Sequence, residues 1–125
     1  MASWTPAELD EIESTDEIRV TSPRGDGTLR PFTIIWMARV GDDVYVRAAH
    51  GPETGWYRHA RDAGSGRAEA GSVARDVRYE TVDADDAALA ADIDAAYHAK
   101  YDAKYPKQYV DPVVGHPDTL RVVAA

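Results

Sequence analysis

The chain contains no cysteine, which removes disulfides, thiolate metal sites and cysteine nucleophiles together. No stretch approaches the ~18 consecutive apolar residues that a membrane-spanning helix needs. The opening MASWTPAELDEIES is acidic, unlike a signal peptide. The expectation is therefore a soluble, cytoplasmic protein with no membrane partner. There is no HExxH motif and no close histidine pair: His50, His59, His98 and His116 are scattered, so no metal site is expected. Ser3, Ser14, Ser22, Ser65 and Ser72 lack a GxSxG context, and no glycine pattern matches a Rossmann or phosphate-loop fingerprint. No lysine precedes residue 100, and the net charge of −8 argues against a sequence-independent grip on nucleic acid.

What is present suits one folded domain spanning residues 1–125, with 44% apolar and 29% charged residues. Charge is unevenly placed. Residues 1–18 carry six acids and no Lys or Arg, residues 19–80 carry ten Arg against eight acids, and residues 81–125 are again acidic. An arginine-bearing centre between acidic flanks could serve a small anionic ligand, because the guanidinium fork matches phosphate and carboxylate. The same arginines could equally be solvated.

Thr5-Pro6-Ala7-Glu8 predicts a helix start with a capping box, and that helix ends near Ser14. Glu17 to Ser22 alternates as a strand, and Pro23-Arg24-Gly25-Asp26-Gly27 turns the chain into a hairpin. Phe32 to Val40 reads as one long strand. Phe32, Ile34, Trp36, Ala38 and Val40 share one face, yet Ile35 and Met37 make the other apolar too. Such a strand needs cover on both sides, from a barrel interior and from a helix or second subunit; a homodimer is expected. Val44–Ala49 is its partner across Gly41-Asp42-Asp43, with Tyr45 and Arg47 facing away from Val44 and Val46. A short helix follows from about Trp56 to Ala63 and stops at Gly64, with Gly64-Ser65-Gly66 as a flexible connector. Arg67–Ala70 and Val73–Val82 form another hairpin. Asp83 or Asp85 caps a long helix whose Leu89, Ile93, Tyr97, Tyr101 and Tyr105 form one stripe. Asp92 and Asp94 read as its solvated face, with Lys100 and Lys104 in water near its dipole-negative end. Pro106 ends that helix, and a loop leads to a last strand, Thr119–Ala124.

One segment is dense in chemistry: Arg30-Pro31-Phe32-Thr33, Tyr45 to Gly51, and Trp56-Tyr57-Arg58-His59. Arg47 and His50 end a strand beside a helix start, whose free amides favour phosphate. With a Trp face, this arrangement suits a flat heteroaromatic ligand carrying a phosphate tail. Trp56 could instead anchor the core, His59 could be a plain surface residue, and Arg47 could pair with Glu53 or Asp76.

The run from Asp16 to Val82 resembles the split β-barrel superfamily of FMN- and deazaflavin-binding proteins, the pyridoxamine-phosphate-oxidase-like fold. It carries Arg30-Pro31, then Trp36, Gly41 and Tyr45-Val46, then Gly55-Trp56 with His59. The whole chain resembles a bacterial family of unknown function, number 2255, through Trp4, Glu8-Leu9, Ile18-Arg19-Val20, Ala49-His50-Gly51, Gly55-Trp56, Ala96-Tyr97-His98-Ala99-Lys100-Tyr101 and Thr119-Leu120-Arg121. The resemblance implies an α+β fold: a small antiparallel split β-barrel with a short N-terminal helix and one long C-terminal helix. It places FMN or its deazaflavin analogue in a groove at a homodimer interface. Thr33 would lie near the ring or ribityl chain, Arg47, His50 and Arg58 near the phosphate, and Trp56 would wall the groove. His50, Tyr45 or Arg47 would donate to substrate. Ala48-Ala49 stands where hydroxyl-bearing residues are common, and His50 where a lysine is. Three readings follow: a flavin- or deazaflavin-dependent oxidoreductase acting on a small molecule, a cofactor-free binding or isomerising protein using the same groove, and a structural or partner-binding domain.

Overall fold

The structure, a computed structural model, describes residues 4–51, 53–115 and 117–125. Pro52, expected in the break after the fourth strand, and His116, in the loop before the last, lie outside them. Helix α1 (Pro6–Ser14) has the capping box as expected, with Thr5 and Glu8 bonded reciprocally. Strand β1 (Ile18–Thr21) leads through the turn to β2 (Thr33–Ile35), then β3 (Met37–Val40) and β4 (Asp43–Arg47). Helix α2 (Gly55–Ala63) ends on Gly64 in the left-handed region, φ 68°. The hairpin β5 (Ser65–Ala70) and β6 (Val73–Thr81) follows, then α3 (Ala87–Tyr101), α4 (Lys107–Val110), a 3-10 turn (Asp111–Val113) and β7 (Thr119–Ala124).

All seven strands form one antiparallel sheet in the order β2-β1-β5-β6-β7-β4-β3, curled into a nearly closed barrel. Its interior takes the inward residues of the strands, such as Val20, Val44, Val46, Val77, Leu120 and Val122. Leu9 and Ile12 of α1, and Tyr57 and Ala60 of α2, pack into the same core. A second apolar layer lies outside β3 and β4, where Ala38 and Tyr45 meet Ile93, Tyr97 and Tyr101 of α3. The period-2 alternation of β4 thus splits Val44 and Val46 from Tyr45 as the sequence predicts.

The expected long strand Phe32–Val40 is two strands, broken at Trp36. Its first half pairs with β1 and its second with β4, so the two halves are opposite edges of the sheet. Tyrosines from α3 serve the backbone groups at the break. The Met37 amide donates to the Tyr101 hydroxyl at 3.1 Å, and the Trp36 carbonyl accepts from Tyr97 at 3.5 Å. The Tyr101 hydroxyl donates in turn to the Asp16 carbonyl at 2.6 Å. Trp36 stacks on Tyr101 with centroids 4.1 Å apart and planes 6° from parallel. Side-chain alternation survives the break, but cover does not: Trp36, Ala38 and Val40 lie under α3, while Phe32 and Ile34 are 36% and 58% exposed.

Four further expectations are corrected. Asp86, not Asp83 or Asp85, caps α3, accepting from the Leu89 amide at 3.1 Å, while Asp83 accepts from Asp85. That helix stops at Tyr101, and the segment read as loop contains α4 and the 3-10 turn. Ser65 and Gly66 are not a flexible connector but the start of β5. A Cβ on Gly66 would stand 1.9 Å from the Thr21 carbonyl oxygen, so only glycine lets β1 and β5 approach there. Lys104 is exposed and paired with Asp16, but Lys100 is half-buried, its ammonium 3.3 Å from the Ile12 carbonyl and 2.9 Å from Met37 Sδ.

Two predictions follow from this outer layer. Tyr101→Phe strips the Met37 amide of its acceptor in a fully buried place, and should lower unfolding free energy by about 1–3 kcal/mol in urea titrations. The second concerns alkaline pH. Burial pushes the Lys100 ammonium down to about 8. Above that pH the unfolded chain binds more protons than the folded one, so stability should rise with pH toward the ordinary lysine range. Burial also raises the Tyr79, Tyr97 and Tyr101 phenols. Above about pH 10 the unfolded chain loses phenolic protons that the folded one keeps, and stability should fall. Lys100→Met should abolish the rise and leave the fall, as read from melting temperature against pH.

Candidate functional site

Two hollows flank the side chains of Thr33 and Trp56, which line both. The first, about 310 Å³, lies between the base of the β1–β2 hairpin and α2, and is lined by Arg24, Arg30, Thr21, Ser22 and His59. The second, about 340 Å³, lies at the break between β2 and β3 and carries Trp36, Tyr109, Ile34, Arg47, His50 and Glu17. The second hollow therefore brings together Thr33, Arg47, His50 and Trp56 of the expected cofactor-binding set. Arg58 stands on the exposed face of α2 and lines neither hollow.

Tyr45 also lines neither. Being on the outward side of β4, it is 1% exposed beneath α3, and its hydroxyl accepts from Arg121 at 3.1 Å. This departs from the expected donor role: the alternation that buries Val44 and Val46 inside must turn Tyr45 away from the groove. His50 remains, exposed on the turn after β4.

Arg47 forms the floor of the second hollow but is 3% exposed and engaged by the protein. Its Nη1 forms an ion pair with Asp94 of α3 and donates to the Val113 carbonyl at 2.8 Å. Its Nε donates to Thr119 Oγ1 at 3.1 Å, and the guanidinium lies 5.7 Å from the Tyr97 ring centre. The partner is thus neither Glu53 nor Asp76, and Asp94 is not part of a solvated face. Burial pushes the Asp94 carboxyl up, but the Arg47 guanidinium and the Gly115 amide outweigh it and hold the group below the usual carboxylate range. The sequence spacing gives no sign of this pair, since 47 residues separate its members.

Arg30 is the residue that assignment from sequence passed over. Its Nε is buried without a hydrogen-bond partner. Such an orphan costs about 1–3 kcal/mol, so it needs a reason. Its backbone is fixed on both sides: the amide donates to the Ser22 carbonyl at 3.0 Å and the carbonyl accepts from Thr21 at 2.5 Å. His59 is held below the ordinary histidine range, first by desolvation and then by the charges of Arg30 and Arg58. Helix α2 starts here with no side-chain cap from Thr54 and no acid in its first turn, so its first amides have no intrahelical or capping partner. The signal in the sequence was Arg-Pro ahead of the strand, opposite a helix start.

Residues 8–123 match a bacterial protein family described as "Uncharacterized protein conserved in bacteria (DUF2255)", and the chain belongs to that family. No curated protein matches the sequence significantly. Among solved structures, the fold is similar to a conserved hypothetical protein, Rv2991, from Mycobacterium tuberculosis, with TM-score 0.70 and 15% identity over 98% of this chain and 82% of that one. It is similar to HutZ, a heme storage protein from Vibrio cholerae, with TM-score 0.65 and 10% identity over 99% and 89%. It is also similar to an FAD-binding protein from Mesorhizobium loti, with TM-score 0.56 and 17% identity over 98% and 91%. At these identities the likeness is one of fold, the split barrel.

The buried pair gives a test. Arg47→Ala leaves Asp94 of α3 without its guanidinium partner and should cost about 3 kcal/mol, the low end for a buried ion pair because Asp94 keeps some solvent contact. Asp94→Asn should remove stability that the wild type holds above the ordinary carboxylate range and loses as pH falls through the depressed Asp94 value. Urea titrations at pH 7 and pH 3 measure both. An Arg47→Ala protein as stable as wild type would free this side chain for a ligand.

Proposed function

We propose that this chain, a member of the bacterial family on a split-barrel fold, binds FMN or its deazaflavin analogue and acts as an oxidoreductase on a small aromatic or enone-like molecule. The observation that carries the reading is the junction at Thr33 and Trp56, where an aromatic hollow and a cationic one share walls. That is the shape of a ligand with a flat ring at one end and an anion at the other. Trp36, Trp56 and Tyr109 offer ring faces in the second hollow. Thr33 stands between the hollows, where it can bond a linking polar chain. The likeness to an FAD-binding protein supports the same reading.

When bound, such a cofactor supplies hydride transfer, and the protein's share is orientation and exclusion of water. His50, at the exposed rim, can place a ring nitrogen against a substrate oxygen and hold a proton there. Arg47 acts on this site through structure: it fixes β4 against α3 and so sets the floor on which His50 turns.

The second hollow is lined on one side by Ile34 and Tyr109, each 58% exposed, and Phe32, two residues before Ile34, is 36% exposed. A second copy of the chain covering this patch would bury the uncovered half of the apolar strand face and close the groove. A specific interface of that kind buries more than about 1,000 Å² in total. The withdrawal of Tyr45 from the groove favours a second reading, a small-molecule binder without redox chemistry, since one expected proton donor is absent from the site.

Titrating the protein with FMN and with the deazaflavin, followed by tryptophan fluorescence, tests the reading. Saturable quenching by one of them is expected, weakened about 3- to 10-fold by Trp56→Ala through lost ring contact. Sedimentation should show a dimer, and Ile34→Glu should yield a monomer with weakened binding. No quenching by either compound would overturn the flavin reading. Quenching without cofactor reduction by any hydride donor would favour the second.

A further inference from the structure

One wall of the second hollow continues into the protein as touching aromatic rings. Trp36 lines that hollow and is half-buried. Its indole stacks on Tyr101 and also meets the ring of Tyr105, with centroids 4.7 Å apart. Tyr105 does not line the groove; it borders a separate hollow of about 250 Å³ beside His98 and Asp102. We propose that Trp36 and Tyr105 form a one-electron relay, which passes an oxidising equivalent arising in the groove to the partly exposed Tyr105.

Three observations carry this. The first is contact. Aromatic pairs usually stand about 4.5–7 Å apart, and both Trp36 contacts lie at or inside the short end of that range. The second is that the two buried tyrosines of the stack cannot keep the oxidising equivalent. A phenol that loses an electron becomes a strong acid and must hand its proton to a base. Tyr101 donates to the Asp16 backbone carbonyl and Tyr97 to the Trp36 carbonyl, and a backbone carbonyl does not take up a proton. Each of those rings also has a cation beside it, Lys100 Nζ at 5.5 Å from Tyr101 and the Arg47 guanidinium at 5.7 Å from Tyr97, which opposes positive charge there. The third is that Tyr105 has its base. Its hydroxyl donates to Asp16 Oδ2 at 3.4 Å, and the hydrogen bond from Lys104 holds that carboxyl below the ordinary range, so it is ionised at neutral pH. The step balances. The oxidant, an oxygen-derived radical or a photoexcited flavin, gains one electron from Trp36, which regains one from Tyr105. The phenolic proton moves to Asp16, leaving a neutral phenoxyl radical and a carboxylic acid. A thiol-class donor in solution then returns a hydrogen atom to the phenoxyl oxygen and becomes a thiyl radical, and Asp16 releases its proton to water.

The relay rests on the flavin reading only for the second kind of oxidant, and the two can fail separately. The probe is the azide radical, a one-electron oxidant of tryptophan, generated by pulse radiolysis of the full-length protein with no flavin present. Every protein tested carries Trp56→Phe, which removes the other close Trp–Tyr pair among the described residues, Trp56–Tyr57 at 5.9 Å. Indolyl absorption should decay and phenoxyl absorption should grow at one rate, independent of protein concentration. A nitroso spin trap followed by peptide mass spectrometry should place the adduct on Tyr105. Tyr105→Phe and Trp36→Phe should each slow this phase about 10-fold or more. Asp16→Asn should slow it comparably, because a positioned base is lost. Tyr105→Phe removes one half-buried hydroxyl and should leave the melting temperature nearly unchanged, so it carries the test even where Trp36→Phe unfolds. The relay is overturned if the parent protein shows no intramolecular phase, or if Tyr105→Phe leaves the rate unchanged. An adduct on Tyr97 or Tyr101 in place of Tyr105, or one on Tyr105 that survives Trp36→Phe, would overturn it equally. A phenoxyl radical formed on Tyr105 through Trp36, in a protein that binds neither FMN nor the deazaflavin, would sustain the relay and overturn the flavin reading.

Discussion

The Trp36–Met37 peptide joins the two edges of the sheet, and everything around the site depends on how its backbone groups are satisfied. Strands β2 and β3 are consecutive in the chain but pair with different neighbours, so one residue must carry the chain from one edge to the other. A ladder that breaks inside a protein leaves donors and acceptors that water cannot reach. Tyr101 and Tyr97 supply the missing partners, and the Trp36 ring is clamped against Tyr101. This is why α3 lies where it does. Its tyrosines do more than cover an apolar face: they stand in for a strand at the seam. The Arg47–Asp94 pair then holds the same helix against β4 a little further along.

How much of this could be read from the sequence depended on whether the controlling interaction was local. The capping box at Thr5 and Glu8, the left-handed stop at Gly64 and the split of Val44 and Val46 from Tyr45 are set by neighbours within a few residues, and they appear as expected. The stripe Leu89, Ile93, Tyr97, Tyr101 and Tyr105 was equally legible, although the helix ends at the fourth of these residues. The break at Trp36 was not. Side-chain alternation passes through it unchanged, so the pattern that identifies a strand carries no mark of a change in partner. Lys100 failed for a related reason. Its place near a helix end suits the dipole, but the burial comes from α1 and β3, both distant in sequence.

The candidate site divides along the same line. Four of the residues expected to hold a cofactor, Thr33, Arg47, His50 and Trp56, do line one hollow, because they sit at strand and helix ends that the fold brings together. Which of them has a free donor is a different question, decided by long-range pairing. The acids of the first segment show how that pairing is distributed. Glu8 pairs with Arg75, Asp10 and Glu13 with Arg39, and Asp16 with Lys104. Exposed pairs of this kind contribute little stability each, but they answer Arg75 and Arg39 of the central segment and Lys104 beyond the last long helix.

That unequal matching gives the fold its polarity. Arg47 is enclosed between β4 and α3, where an unpaired guanidinium would be strongly unfavourable, so the structure supplies a carboxylate, a carbonyl and a hydroxyl for it. Arg30 has a buried Nε too, yet no protein group reaches it. The difference lies in access. Both side chains border a hollow that Trp56 walls, but Arg47 is packed under α3 and 3% exposed, whereas Arg30 is only half-buried beside α2. The same residue type at two places in one groove is therefore fitted for two different tasks. Arg47 holds the frame, and Arg30 keeps one donor that the protein leaves unanswered.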